Sequence, residues 1–373
     1  MLRRSRDRLA HRDCDFSLPR FLFSDPAAIF APPGRMVGHL NSSMLVAVIA
    51  LLLSAGFVYW ACEYFVNGVE WVGHKAGISQ NAVGTVLAAF GTALPESVVT
   101  FVAVVFGHDA EQKNIGVGAA LGGPLVLATI AYPIVGVMLL LTRTQRPNQP
   151  IDVNRQRLCR DQSWFLLIFI FKIALGFLAF SIKPWLGWLF LAAYAAYTWA
   201  EVLHEGDAAE GELEPLKFQS KASNPRWLLV SIQTLLALGV IFVASHVFVS
   251  QLNTVGPWLG IPSTVVALLL SPIATELPET MNAIIWIRQG KHRLALSNIS
   301  GSMMIQATVP TALGLFFTPW LFDGALAVAA VVTAVAVAGL LILLRANALT
   351  PVRLALFALG YVVFALGVWA ISP

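Results

Sequence analysis

Two glutamates and two prolines in the middle of a bilayer-length apolar run constrain this chain more than any other feature. Ser271-Pro-Ile-Ala-Thr-Glu-Leu-Pro-Glu279 lies inside an apolar stretch from about Gly260 to Ile287, long enough to cross a membrane. A carboxylate at the bilayer centre costs roughly 2.5–3.5 kcal/mol on insertion scales, so acids at that depth face a bundle interior and line ion or proton paths. Proline removes a helix donor and clashes with the preceding turn, which frees carbonyl oxygens close to the acids. Broken backbone of this kind survives at membrane depth only inside protein or beside a water-filled cavity. Nearly the same phrase occurs earlier, as Gly91-Thr-Ala-Leu-Pro-Glu96.

Composition agrees with a membrane reading. Of 373 residues 57% are hydrophobic and 12% charged, about half the ~25% charged of a soluble domain. The net charge of +4 is small and the arginines gather at span ends. That pattern speaks for membrane orientation and against nucleic-acid binding. Cys14, Cys62 and Cys159 are scattered and suggest neither a disulfide framework nor a zinc site.

Residues 1–43 form a basic, proline-containing arm with no apolar signal-peptide core. It reads as a disordered arm, or as a misassigned start with Met36 or Met44 as the true first residue. From Leu45 the sequence predicts ten spans, at about 45–66, 79–105, 113–141, 163–182, 185–203, 227–252, 260–287, 294–317, 320–344 and 354–371. The fold class is therefore an all-α integral membrane protein of ten transmembrane helices. A first five-helix repeat covers 44–203, a linker 204–226, and a second five-helix repeat 227–373. The linker is acidic first and basic afterwards, as a solvated connector would be. Lys172 in the fourth span is expected to face the bundle or snorkel and to tolerate replacement by alanine. His246 is expected inside the bundle, and Trp185, Trp258 and Trp320 at the membrane interfaces.

Basic residues concentrate in alternate loops: Lys75; Arg143 to Arg160; Lys217, Lys221 and Arg226; Arg288, Lys291 and Arg293; Arg345 and Arg353. The intervening loops hold only Lys113 and Lys183. The first set, central linker included, is expected to be cytoplasmic, in a cell (inner) membrane.

The two acidic spans are copies. Gly77–Gly107 lies over Gly260–Gly290 without a gap, aligning Thr92 with Thr275, Pro95 with Pro278 and Glu96 with Glu279 at a constant offset of 183 (279 − 96). Five spans per half is an odd number, so the halves enter the membrane in opposite senses, as inverted repeats whose broken helices meet at the midplane.

On a helix Ser271, Thr275 and Glu279 form one oxygen-bearing stripe, with Glu276 close by. Asn298, Ser302 and Gln306 repeat the four-residue spacing in the next span. Carboxylates, hydroxyls, amide oxygens and freed carbonyls are hard donors that suit Ca²⁺ and alkali cations, not soft metals. The first half offers Thr92, Glu96 and Thr100, then Gly118-Ala-Ala-Leu-Gly-Gly-Pro124, where Gly118 and Gly122 form a close-packing pair.

The repeated Gly-Thr-Ala-Leu-Pro-Glu and Ala-Thr-Glu-Leu-Pro-Glu motifs resemble the α-repeats of the cation/Ca²⁺ exchanger superfamily, whose best-known branch is the sodium/calcium exchangers. The resemblance implies ten helices in two inverted halves and alternating-access exchange of Ca²⁺ against Na⁺, K⁺ or H⁺. It makes Glu96 and Glu279 the paired motif glutamates, and Thr92 and Thr275 the motif threonines. Members commonly carry serine after the motif threonine, where this chain has Ala93 and Glu276, and Gly-Ser-Asn where it has Gly122-Gly-Pro124 and Gly301-Ser-Met303. The first half has thus lost secondary ligands and the second has gained a carboxylate. Close carboxylates do not all ionise readily, which favours proton coupling.

The resulting expectation is a secondary antiporter for Ca²⁺ or a similar cation against H⁺ or Na⁺. The ligands would be Glu96, Glu279, Glu276, Thr92, Thr275, Ser302 and Gln306, and the partners the lipid bilayer and transported cations, with no cofactor. A monovalent Na⁺/H⁺-type exchanger and an intramembrane enzyme are the alternatives. The spans hold no HExxH motif and no nucleophile paired with histidine, so an enzyme is not expected.

Overall fold

The computed structural model describes residues 42–79, 82–106, 110–143, 145–203, 213–260, 269–322 and 324–371. The basic arm through residue 41 and the acidic part of the linker, 204–212, lie outside these residues. All regular structure among the described residues is helical.

Each of the ten sequence-derived spans is met by helix. The first half comprises α1 (Ser42–Ala76), a π-helical stretch Val83–Ala88 leading into α2 (Ala89–Phe106), and α3 (Ala110–Val126) running through a second π stretch, Leu127–Ala131, into α4 (Tyr132–Thr142). It closes with α5 (Arg155–Gly176), a 3₁₀ turn Lys183–Leu186 and α6 (Gly187–Leu203). The second half comprises α7 (Trp227–Trp258), α8 (Ser271–Thr275), α9 (Leu277–Arg288), α10 (His292–Phe317), α11 (Gly324–Arg345), α12 (Pro351–Leu356) and α13 (Ala358–Ile371). Among the described residues seven helical segments are long and apolar enough to cross a membrane. Of the other three spans, the second and seventh adjoin undescribed positions, and the fourth opens with Arg155, Arg157, Arg160 and Asp161.

Contacts between loops reveal the inversion. On one side Lys75 donates to Asn224 at 2.6 Å, Lys291 to Glu70 at 2.6 Å, and Arg293 pairs with Asp152 at 3.4 Å. The Ile151 N–H donates to the Leu349 carbonyl at 2.9 Å. These contacts join all five basic loops on one face. On the other side Phe322 N–H donates to the Gly176 carbonyl at 3.0 Å, and Lys183 Nζ to the Pro319 and Trp320 carbonyls at 2.9 and 2.8 Å. The third span therefore ends on the basic face, while its copy α10 ends on the opposite face. Gly77 and Gly260, aligned in the repeat, both adopt left-handed backbone, at φ +67° and +79°. The symmetry thus reaches the conformation of single residues, where glycine alone is unstrained.

Helix α10 is the centre of the bundle: 83% of its most apolar window is buried, against 17% for the last span. It packs against α2, α3, α5, α6 and α9. Helices α1 and α7, the first of each half, pair with one another and turn residues such as Leu52, Trp60 and Leu235 outward.

Several expectations need correction. Helix α1 runs ten residues past 66, because its last turns carry polar groups that find partners there. Asn67 and Trp71 donate to linker carbonyls at Pro215 (3.2 Å) and Glu214 (2.9 Å), and Glu70 accepts from Trp286 at 2.8 Å. The basic half of the linker is accordingly docked on α1, with Leu216 fully buried, not a free solvated connector. Of the two placements expected for Lys172 the structure shows the bundle-facing one: it is 0% exposed and donates to the Ala120 carbonyl at 2.8 Å. That carbonyl lies four residues before Pro124, which has no N–H to give it; lysine replaces the missing helix bond. Trp320 is buried and donates to the Lys172 carbonyl at 3.2 Å, so it is no interface anchor, whereas Trp185 is exposed. His246 faces outward. Finally, α2 continues through Pro95, and the irregularity of that span lies upstream in its π stretch.

Candidate functional site

In the seventh span the helix breaks at Glu276. Its φ/ψ of −84°/9° ends α8 and starts α9, with Pro272 and Pro278 at the first turns of the two pieces. Prolines suit first turns because the missing N–H has no partner there anyway. The break swings the Glu276 side chain across to α10, where Gln306 Nε2 donates to both carboxylate oxygens at 2.8 and 3.0 Å. Glu276 and Gln306 are 0% and 1% exposed.

Gly123 makes room for this pair. A Cβ there would stand 2.8 Å from Glu276 Oε1 and 2.9 Å from Gln306 Cδ, both inside contact distance. Its neighbour Gly122 lies against Pro272, whose Cγ would be 3.2 Å from a Cβ. Around Gly118 the nearest atom is Leu326 Cδ2 at 3.9 Å. Only the second glycine of the expected close-packing pair is therefore tight. The missing side chain in the first half and the added carboxylate in the second form one steric unit.

Glu96 and Glu279 are both buried, at 6% and 1% exposure. Each meets the threonine of the opposite half: the Thr275 hydroxyl interacts with Glu96, and the Thr92 hydroxyl with Glu279. Both hydroxyls also reach their own helix carbonyls, Thr92 to Ala88 and Thr275 to Pro272, at 3.0 Å. The three glutamates are close enough to feel one another's charge. Ser302 is fully buried one turn before Gln306, and its Oγ has no hydrogen-bond partner; nor has Glu279 Oε2. Among the described residues no three Asp, Glu, His or Cys side chains converge as a ready-made metal cage. The carboxylates are instead interleaved with hydroxyl and amide oxygens, the hard donors that Ca²⁺ and alkali cations take.

The structure thus gathers the two acid motifs in one buried region: Thr92 lies by Glu279, Thr275 by Glu96, and Glu276, held by Gln306, is within electrostatic reach of both glutamates. Ser302 sits beside them on α10. Two residues escaped the sequence reading. Gly123, beside the expected close-packing residue Gly122, borders Glu276. Cys62 on α1 donates to the Pro278 carbonyl at 3.8 Å and lies near enough to Glu279 to interact with it. No local pattern marks Cys62, since its place depends on how α1 crosses α9.

The model of the sodium/calcium exchanger protein family matches residues 46–203 and 230–370, nearly the whole of both halves. The chain belongs to the sodium/calcium exchanger family. CaxA of Alkalimonas amylolytica is 27% identical over 289 residues, covering 76% of this chain and 85% of its own. The sodium/calcium exchanger MaX1 of Methanosarcina acetivorans is 25% identical over 308 residues, covering 73% and 83%. In structure, the sodium-calcium exchanger NCX_Mj, from crystals soaked with Na⁺ and Sr²⁺, superposes with a TM-score of 0.70 at 20% identity. That match spans 88% of this chain and all of NCX_Mj, so the two share a fold. This exchanger-family chain is a multi-pass membrane protein of a transporter family.

Proposed function

We propose that this chain is a secondary antiporter that moves Ca²⁺ against a coupling cation by alternating access. The observation that carries this reading is the crossed pairing of the two acid motifs, Thr92 with Glu279 and Thr275 with Glu96. Each motif comes from one of two oppositely inserted halves, so a cation held between them is reached from either side as the halves shift. Glu96 and Glu279 are the central ligands and supply the negative charge a divalent ion requires. Thr92, Thr275 and Ser302 supply neutral oxygens, while Glu276 with Gln306 forms a third acidic arm.

The coupling ion is H⁺ or Na⁺. A carboxylate group of three relieves its mutual repulsion by taking up either a proton or a metal ion, which is the physical requirement for coupled exchange. The basic face is assigned to the cytoplasm of a cell membrane, by the positive-inside rule.

The test is ⁴⁵Ca²⁺ uptake into proteoliposomes holding the full chain, under an imposed pH gradient and separately an imposed Na⁺ gradient. Uptake driven by at least one gradient is the expected result. Uptake indifferent to both would refute the antiporter reading.

A further inference from the structure

A second cluster of charged side chains is buried near the basic face, away from the transport glutamates. Arg157 Nε and Nη2 on α5 donate to Glu201 Oε2 on α6 at 2.9 and 2.5 Å, and Arg160 Nη2 donates to Glu201 Oε1. Thr85 of the first π stretch gives its hydroxyl to the same carboxylate at 3.3 Å. Glu201, 0% exposed, is thus held on both oxygens.

Asp161 shares this cluster but not these donors. It is 2% exposed, and its Oδ1 accepts no hydrogen bond. The Arg160 Nη2 that Glu201 already holds stands 3.6 Å from that oxygen. The Tyr197 hydroxyl and Gln162 Oε1 are also buried without partners, at 2% and 0% exposure. Gln162 Nε2 donates to Tyr132 and Ser300 at 2.8 and 2.9 Å. Native proteins leave few buried polar atoms unpaired, and such a group calls for an explanation. A cavity of about 20 Å³, lined by Asn154, Arg157, Asp161 and Arg293 among others, adjoins Asp161 at the basic face, which is room for one water molecule.

Among the described residues, the charged and titratable groups facing Asp161 are few. Its own helix brings Arg157 and Arg160, α6 brings Glu201 and Tyr197, α4 brings Tyr132, and α10 brings Arg293 across the cavity. Two carboxylates in one buried cluster do not both ionise readily. Glu201 has taken the guanidinium donors, so the charge belongs there. An ionised Asp161 would leave a buried oxygen bare, which is costly; a proton on that oxygen removes the charge and makes it a donor in a cluster that still holds free acceptors.

We propose that Asp161 is a proton-binding site at the basic face, separate from the transport glutamates, and that its proton keeps the first π stretch seated. The proton comes from water through the cavity, bonds to Asp161 Oδ1, and leaves by the same route. Once ionised, Asp161 competes with Glu201 for Arg157 and Arg160 and loosens the Glu201 contact with Thr85. Thr85 lies in the stretch that leads into α2, the helix of Thr92 and Glu96. Its carbonyl packs so closely on α10 that a Cβ at Gly301 would strike it. Proton occupancy at the basic face therefore reaches the acid motif through the backbone. Neither step involves the transported cation, so the site stands apart from the antiporter reading.

The experiment follows the thermal midpoint of purified full-length protein in detergent from pH 5 to pH 7, native against Asp161→Asn, which copies the proton-loaded carboxyl. In the unfolded chain an aspartate ionises at about pH 4. If the folded one keeps its proton, rising pH favours unfolding of the native chain and leaves the variant untouched. The midpoint of the variant relative to native should therefore climb with pH. A relative midpoint that falls with pH, or does not change, overturns the proton site, because Asp161 is then the ionised partner of Arg160 or indifferent to folding. Should the variant fail to fold, infrared spectra of the native chain labelled with ¹³C at the aspartate carboxyl decide: a protonated aspartate band should persist at pH 7, and its absence overturns the site. The link to the π stretch is read by amide hydrogen exchange over Val83–Ala88, corrected for intrinsic pH dependence. Exchange should quicken at least about threefold between pH 6 and pH 9 in the native chain and not in Asp161→Asn. The same pH dependence in both overturns the link.

Discussion

Replacing Gly123 by alanine tests whether the extra carboxylate of the second half depends on the missing side chain of the first. The new Cβ would stand 2.8 Å from Glu276 Oε1 and 2.9 Å from Gln306 Cδ, so one of these side chains must move. Both are ends of flexible chains, which makes the movement sterically cheap, but both are buried, and moving either breaks the amide-to-carboxylate hydrogen bonds. A hydrogen bond to a charged group contributes roughly 1.5–3 kcal/mol. At about 1.4 kcal/mol per tenfold, Gly123→Ala should weaken apparent Ca²⁺ affinity by roughly ten- to a hundredfold. The matched control is Gly118→Ala on the same helix, where the nearest atom is 3.9 Å away. There the added methyl group should be neutral or favour the helix by up to ~1 kcal/mol. The assay is the half-saturating concentration in proteoliposome Ca²⁺ uptake, with thermal midpoints to confirm folding. Equal Ca²⁺ affinities for the two glycine variants would refute the coupling between Gly123 and Glu276.

Other substitutions probe the remaining parts. Glu96→Gln and Glu279→Gln should each abolish gradient-driven Ca²⁺ uptake while leaving a folded protein, as judged by size-exclusion profile. Lys172→Ala, which the sequence alone marks as harmless, should lower the thermal midpoint, because the Ala120 carbonyl loses its donor at a cost of about 1–3 kcal/mol; counter-ion dependence should persist in the folded fraction. Lys291→Met strands Glu70 in a pair whose side chains are 3% and 4% exposed, and should cost about 3–5 kcal/mol in an unfolding titration. Most of that loss should return in Glu70→Gln/Lys291→Met; a double variant as unstable as the single one would show that the pair is not what holds α1 to the α9–α10 turn.

The sequence by itself determined the membrane class, the ten spans, the inverted repeat and the acid motifs. Each of these is written in local or periodic terms: apolar length, loop charge, and a phrase repeated at a fixed offset. The same residues did not reveal which partners the polar groups would take, because those partners lie far away along the chain. Lys172 reads as either a bundle-facing or a snorkelling cation until α5 is seen to lie against the one carbonyl on α3 that Pro124 leaves without a donor. Gly123 carries no sign of a role until Glu276 is seen to fill the space beside it. Thr92 and Thr275 read as members of one ligand set, and only the crossing of α2 with the α8–α9 break shows that each lies beside the glutamate of the other half. Hydropathy decides where a helix sits in the membrane, but the choice of partner for a buried oxygen is made by interhelical geometry, which only the folded chain contains.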